Sequence, residues 1–285
     1  MSYRWITGVA ALLMLGLAAA PASAINCSAD VPMRFWGTSP AVEVTVNGRS
    51  GFLFLVDTAA AGMARADLTL VKTLALSPTG QTEVTDGTSA PPLIVDRYEL
   101  AQVRLGNMSL SAVRAQARDY NTTPHLPAIA GILGFNFFKD CLLTLDYRAR
   151  RVRVTGGELP PANGRDIVAF KDDGGPFVTM TLGAAETSAL IDSGSQLGIL
   201  VPVAMVKNLP LASYRRTIGT GRTVTNQFEI SEVTIQDSLA IGSYRLDRPV
   251  INFANVFDEV VIGSVALHQL TLTFDQKNGR VRIKQ

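Results

Sequence analysis

The chain is short of the side chains on which most enzyme chemistry depends. Its 285 residues include two histidines, His125 and His268, and two cysteines, Cys27 and Cys141. Neither histidine has a metal-ligand spacing to other donors, so no metal or cofactor is expected. The Gly-x-Ser-x-Gly turn of serine hydrolases is missing too. The nearest segment, Gly194-Ser195-Gln196-Leu197-Gly198, has glutamine where the nucleophile would stand. Gly219-Thr220-Gly221 has no helical pattern after it, which argues against a dinucleotide site. Charge is scarce at 18% and balanced, with 26 basic against 24 acidic residues. Such a balance gives no face for nucleic acid or for an acidic partner. A hydrophobic share of 47% is too high for extended disorder and leaves room for a large core. Beyond the first residues, no apolar run is long enough to span a bilayer.

Those first residues have a pattern of their own. Arg4 is the sole charge before Asp30, Ile6 to Ala20 is apolar, and Ala22-Ser23-Ala24 is a small-x-small cleavage site. Residues 1–24 therefore read as a secretory signal peptide, too short in its apolar core for a stable membrane anchor. The remaining 261 residues are expected outside the cytoplasm, in the periplasm or secreted. In an oxidising compartment an even pair of cysteines suggests a disulfide, here between Cys27 and Cys141.

Most informative is a repeat. Leu55-Val56-Asp57-Thr58-Ala59-Ala60 and Leu190-Ile191-Asp192-Ser193-Gly194-Ser195 are each an apolar run ending in aspartate, a hydroxyl residue and a small residue. The apolar runs read as buried strands. An aspartate ending such a run is seldom there without a reason, because a buried unpaired charge is costly. The order of elements downstream is also duplicated. Gly131-Ile132-Leu133-Gly134 answers to Val260-Val261-Ile262-Gly263, and Leu142 to Asp146 to Leu270 to Asp275. Arg151-Val152-Arg153-Val154 answers to Arg280-Val281-Arg282-Ile283. Asp57 lies 77 residues before Gly134, and Asp192 lies 71 before Gly263. Upstream, Val42 to Val46 and Phe177 to Thr181 alternate as half-buried strands do. Two lobes of one design follow from this self-similarity.

With these motifs the chain resembles the aspartic proteases, and its small lobes resemble the retropepsin branch fused into a single chain. The resemblance covers nearly all of residues 40–285. It implies an all-β fold of two homologous lobes, 25–157 and 158–285, with a cleft between them. It also implies peptide-bond hydrolysis by a water activated between Asp57 and Asp192. Thr58 and Ser193 would hydrogen-bond across the two loops and hold the carboxylates nearly coplanar. Small residues at 59 and 194 would let the loops approach, although Ala59 stands where the family usually has glycine. Ser195 would hydrogen-bond the Asp192 carboxylate, and Ala60 could not do the same for Asp57. The partner implied is a peptide or protein substrate, and a monomer suffices because both motifs lie in one chain. An exported binding or inhibitor-like protein on a decayed fold of this kind is the alternative.

Other segments are expected to be structural. Leu68, Leu70, Val71 and Leu74 suit a short helix. Residues 80–105 read as a hairpin turning near Asp86-Gly87-Thr88, the flap over the cleft in the resembled family. Tyr98 to Leu100 and Val103 to Leu105 end its strands. Gly156 to Gly164 reads as an exposed linker. Asp146 and Asp275 read as turn-forming acids, and the two histidines as surface or satisfied core residues.

Overall fold

The computed structural model describes residues 25–85, 91–122, 125–222 and 227–285. The expected signal peptide, residues 1–24, and the three residues at the expected flap tip, Asp86, Gly87 and Thr88, lie outside them. The protein is all-β and two-lobed. Among the described residues the strands form two sheets, of 15 and eight strands. The few helices are short, and one covers Leu68–Thr73. No helix of the described residues is long and apolar enough to cross a membrane.

The two halves are built alike, and register shows it. In the first, strand Arg49–Asp57 runs parallel to Gly131–Gly134, with Asp57 opposite Gly134. In the second, Ala185–Asp192 runs parallel to Val260–Gly263, with Asp192 opposite Gly263. Each glycine-ended strand is flanked on its other side by an antiparallel one, Ala64–Asp67 in the first half and Ile199–Leu200 in the second. The closing glycines are needed because backbone crowds them. A Cβ on Gly134 would sit 2.5 Å from the Gly62 carbonyl oxygen, and one on Gly263 would sit 2.4 Å from that of Leu197. Real Cβ atoms do not approach so closely, so only glycine fits without moving the chain.

A sheet shared by both halves joins them. Leu142–Asp146 pairs antiparallel with Thr271–Asp275, and Thr144 faces Thr273 at its centre. Their hydroxyls are 3.0 Å apart. Each strand also pairs with its own basic neighbour, Arg151–Thr155 or Arg280–Lys284. Beneath this sheet one apolar cluster runs through both halves. The rings of Phe135 and Phe274 meet edge to face at 5.6 Å, and Phe170 lies 5.9 Å from Phe135. The Cys27–Cys141 disulfide, with Cα atoms 5.6 Å apart, ties the start of the described chain to this region. It leaves no free cysteine among the described residues.

Two details differ from the sequence reading. Tyr98 to Leu100 and Val103 to Leu105 belong to one continuous strand, Leu93–Leu105, which pairs with Gly80–Val84 on one side and Met108–Arg118 on the other. Ala101 and Gln102, between the two triplets, are exposed and do not break the strand. The segment 156–164 is also not wholly exposed. Leu159 is buried, its N–H donates to Asp275 Oδ2 at 2.8 Å, and its carbonyl accepts from Arg280 Nη1 at 2.6 Å. Local glycine and proline content cannot report such long-range partners. Asp275 is thus a buried acid that also closes its own turn through Asn278. Asp146 does likewise through the Ala149 N–H.

Candidate active site

Leu55 and Leu190 belong to strands whose alternate residues face opposite sides. In the first half Phe54 and Val56 enter the main core, whereas Leu55 joins a separate wall with Ala41, Ala60, Ile129 and Ile132. Asp57 follows Leu55 by two residues, so it emerges on the side of that wall. The strand ends there, and residues 57–60 and 192–195 form two loops that meet between the halves.

A set of four buried hydrogen bonds locks the loops together. The Thr58 hydroxyl accepts the Ser193 N–H at 3.0 Å and donates to the Ile191 carbonyl at 2.6 Å. The Ser193 hydroxyl accepts the Thr58 N–H at 3.0 Å and donates to the Val56 carbonyl at 2.7 Å. Both residues are fully buried. A hydroxyl supplies one donor and accepting lone pairs on the same atom, which this exchange requires.

The two acids are placed differently. Asp57 Oδ1 accepts the Ala59 N–H at 2.9 Å, while the Ala60 N–H goes to the Asp57 carbonyl at 3.3 Å. Asp192 Oδ1 accepts two N–H groups, from Gly194 at 2.8 Å and from Ser195 at 3.0 Å. It is therefore the backbone of Ser195, not its hydroxyl, that reaches the carboxylate. The Ser195 Oγ accepts instead from the Leu197 N–H at 3.4 Å. The expected hydrogen bond between Ser195 and Asp192 is thus made by the backbone, since loop curvature decides which group points inward. Asp192 as a whole is half-buried. Burial, the charge of Asp57 and a hydrogen bond to Asp57 together push its pKa well above the usual carboxylate range. The two N–H bonds act in the opposite sense without offsetting this.

Several supporting residues carry no motif and were not foreseen. Ser39 donates to the Gly194 carbonyl at 2.8 Å. Ser264 donates to the Ser195 carbonyl at 2.6 Å and lies 2.8 Å from the Thr38 hydroxyl. The turn before strand Ser39–Val46 is thus docked on the second half's loop. The repeat offered one signal for this, because Ser39-Pro40 and Gly175-Pro176 occupy equivalent places. Gly175 makes the reciprocal contact. A Cβ there would come within 3.1 Å of the Thr58 carbonyl and 3.3 Å of Ala59 Cα. His268 is half-buried and has a hydrogen-bond partner. Its Nε2 lies 2.9 Å from the Thr38 carbonyl, and its ring packs on Phe35 and Tyr147. His125 is exposed and far from such contacts.

Two aspartates thus end equivalent strands, on loops tied by Thr58 and Ser193 between two like halves. Residues 42–137 match the family model described as aspartyl protease. The first half of the chain is thus similar to aspartyl proteases. The matched segment contains Asp57, its loop and the Gly131–Gly134 strand. No curated protein matches the chain.

Proposed function

We propose that the protein is an exported aspartic endopeptidase whose lobes are 25–157 and 158–285 and whose dyad is Asp57 and Asp192. The observation that carries this reading is the difference between the two acids on otherwise symmetric loops. Like charges so close cannot both ionise cheaply, so the pair keeps one proton. Burial favours that proton on Asp192, although the titration belongs to the pair. In the reaction Asp192 donates it to the scissile carbonyl oxygen. Asp57 takes a proton from a water that attacks the carbonyl carbon. The tetrahedral intermediate then collapses with proton transfer to the leaving amine. Neither step forms a bond between enzyme and substrate. The disulfide and the leader pattern support a place outside the cytoplasm.

The decisive experiment incubates purified protein lacking residues 1–24 with a broad peptide library, with and without a statine-type inhibitor. Cleavage that the inhibitor blocks supports the reading. One observation favours the alternative of a binding protein, namely the methyl of Ala59 in the dyad loop. Peptide binding without cleavage from acidic to neutral pH would establish that alternative.

A further inference from the structure

Arg65 breaks the symmetry of the two halves beside the dyad. It lies on strand Ala64–Asp67 between Ala64 and Ala66, both buried in the main core, so its side chain points to the opposite side. Its cross-strand partner is Ile132, and Ile132 pairs in turn with Leu55. Leu55 and Ile132 belong to the apolar wall on Asp57's side. Arg65 therefore stands on that wall, two strand spacings or roughly 10 Å from Leu55. In the second half Leu200 takes the equivalent place, opposite Val261, and is buried. A leucine fits this position in the fold, so the arginine is not required by packing.

The surroundings give the Arg65 guanidinium no acidic partner within ion-pair distance among the described residues. Its Nε is buried and has no hydrogen-bond partner among the described residues. None of the ion pairs among the described residues includes Arg65, although surface arginines such as Arg151 have them. Tyr120, packed on the same wall, has a hydroxyl influenced by the charges of Arg65, Arg118 and Asp57 and by a hydrogen bond with Arg65, a neutral partner that leaves the guanidinium's charge unpaired. Gln116, its other strand neighbour, is neutral. Arg118 has a partner of its own. Asp67, the nearest acid on the strand, is engaged by Thr69 and by the Tyr120 N–H. A partly desolvated guanidinium without an anion is costly, and its planar fork is suited to a carboxylate.

We propose that Arg65 selects a carboxylate of the peptide that lies on the first half's wall beside Asp57. The carboxylate is an acidic side chain near the scissile bond or the peptide's own C-terminus. The proposal rests on the cleft between the halves being where peptides bind, as the endopeptidase reading requires.

The test compares matched peptides that carry glutamate or glutamine at each position around a cleaved bond, each with a free and an amidated C-terminus. Hydrolysis is followed by kcat/KM, and binding of reduced-bond versions is followed by fluorescence anisotropy. The wild-type protein is expected to prefer a carboxylate at one position by about tenfold or more, as a hydrogen bond to a charged group would give. Loss of preference on amidation alone identifies the C-terminus as its source. Arg65→Gln should bring the glutamate-to-glutamine ratio close to one, and Arg65→Glu should favour lysine at the same position. The ratio is internal to each variant, so partial misfolding does not mimic the effect. Equal treatment of both peptides by the wild-type protein, or a preference that survives Arg65→Gln, overturns the proposal. Discrimination in binding without any hydrolysis would keep the proposal and overturn the endopeptidase reading. Failure to bind any peptide overturns both.

Discussion

Gly194 lies directly against the carboxyl group of Asp57, across the boundary between the two halves. A Cβ built on Gly194 would sit 2.4 Å from Asp57 Cγ and 2.5 Å from its Oδ2. The glycine of the second loop therefore makes room for the acid of the first. The methyl of Ala59 belongs to the other loop, where Gly175 has given up its side chain over Thr58 and Ala59. The two small-residue positions consequently respond differently to substitution.

Gly194→Ala is expected to displace the Asp57 carboxyl group and lower kcat on the order of a hundredfold, the usual result of moving a reacting group by about 1 Å. Ala59→Gly is expected to leave turnover within a small factor. It should lower stability by less than about 1 kcal/mol, because glycine adds freedom to the unfolded chain. Steady-state kinetics and urea melts on the two variants check both halves. A Gly194→Ala protein with wild-type kcat would show that the loops have slack the contacts deny.

Asp57→Asn and Asp192→Asn should each reduce hydrolysis by at least about 10²–10⁴-fold, the range for removing a positioned acid or base. The fold should survive, since each side chain keeps its shape and its hydrogen-bonding oxygen. Circular dichroism and peptide cleavage together decide this. Wild-type cleavage by either variant would remove that aspartate from the mechanism.

The raised pKa of Asp192 gives a pH dependence with a definite sign. In the unfolded chain this acid ionises in the ordinary carboxylate range, whereas the folded protein holds its proton to higher pH. Its contribution to stability is fully present below the unfolded pKa and is lost as pH rises through the folded one. Activity should fall over the same upper limb, as the pair loses its shared proton. Asp192→Asn should remove this slope, so that its melting temperature gains on the wild type as pH rises from the carboxylate range. Parallel melting curves for the two proteins across that window would refute the assignment.

Thr58→Val keeps the shape of the loop junction but deletes one donor and one acceptor. The Ser193 N–H and the Ile191 carbonyl would be left buried and unpaired, at about 1–3 kcal/mol for each group. Thr58→Ser should restore most of the loss. Chemical denaturation of the three proteins measures this, and an unchanged midpoint for Thr58→Val would mean that water replaces the hydroxyl.

Removing the disulfide by Cys27→Ser with Cys141→Ser should cost about 2–4 kcal/mol. The bridge closes a loop of 114 residues, so most of the effect comes from freeing the unfolded chain. A denaturant midpoint equal to that of the wild type would contradict this.

The sequence by itself determined the two-lobed all-β design and the residues at its centre. Asp57 and Asp192 end apolar strands, and the order of strands around each is duplicated. Strand patterning is local, and a repeat can be counted, so both are legible without coordinates. What only the tertiary structure decided is every relationship that depends on register between distant strands. Ser195 reaches Asp192 through its N–H because the loop turns its hydroxyl toward Leu197. Leu159 is buried because Asp275 and Arg280 take its backbone groups. Ala59 faces Gly175, and Arg65 stands beside Ile132 where the other half has Leu200. Each of these pairs residues far apart in the chain, and the energy that selects them comes from packing both halves at once. A local pattern fixes which side of a strand a residue occupies, but only the assembled sheet fixes what it meets there.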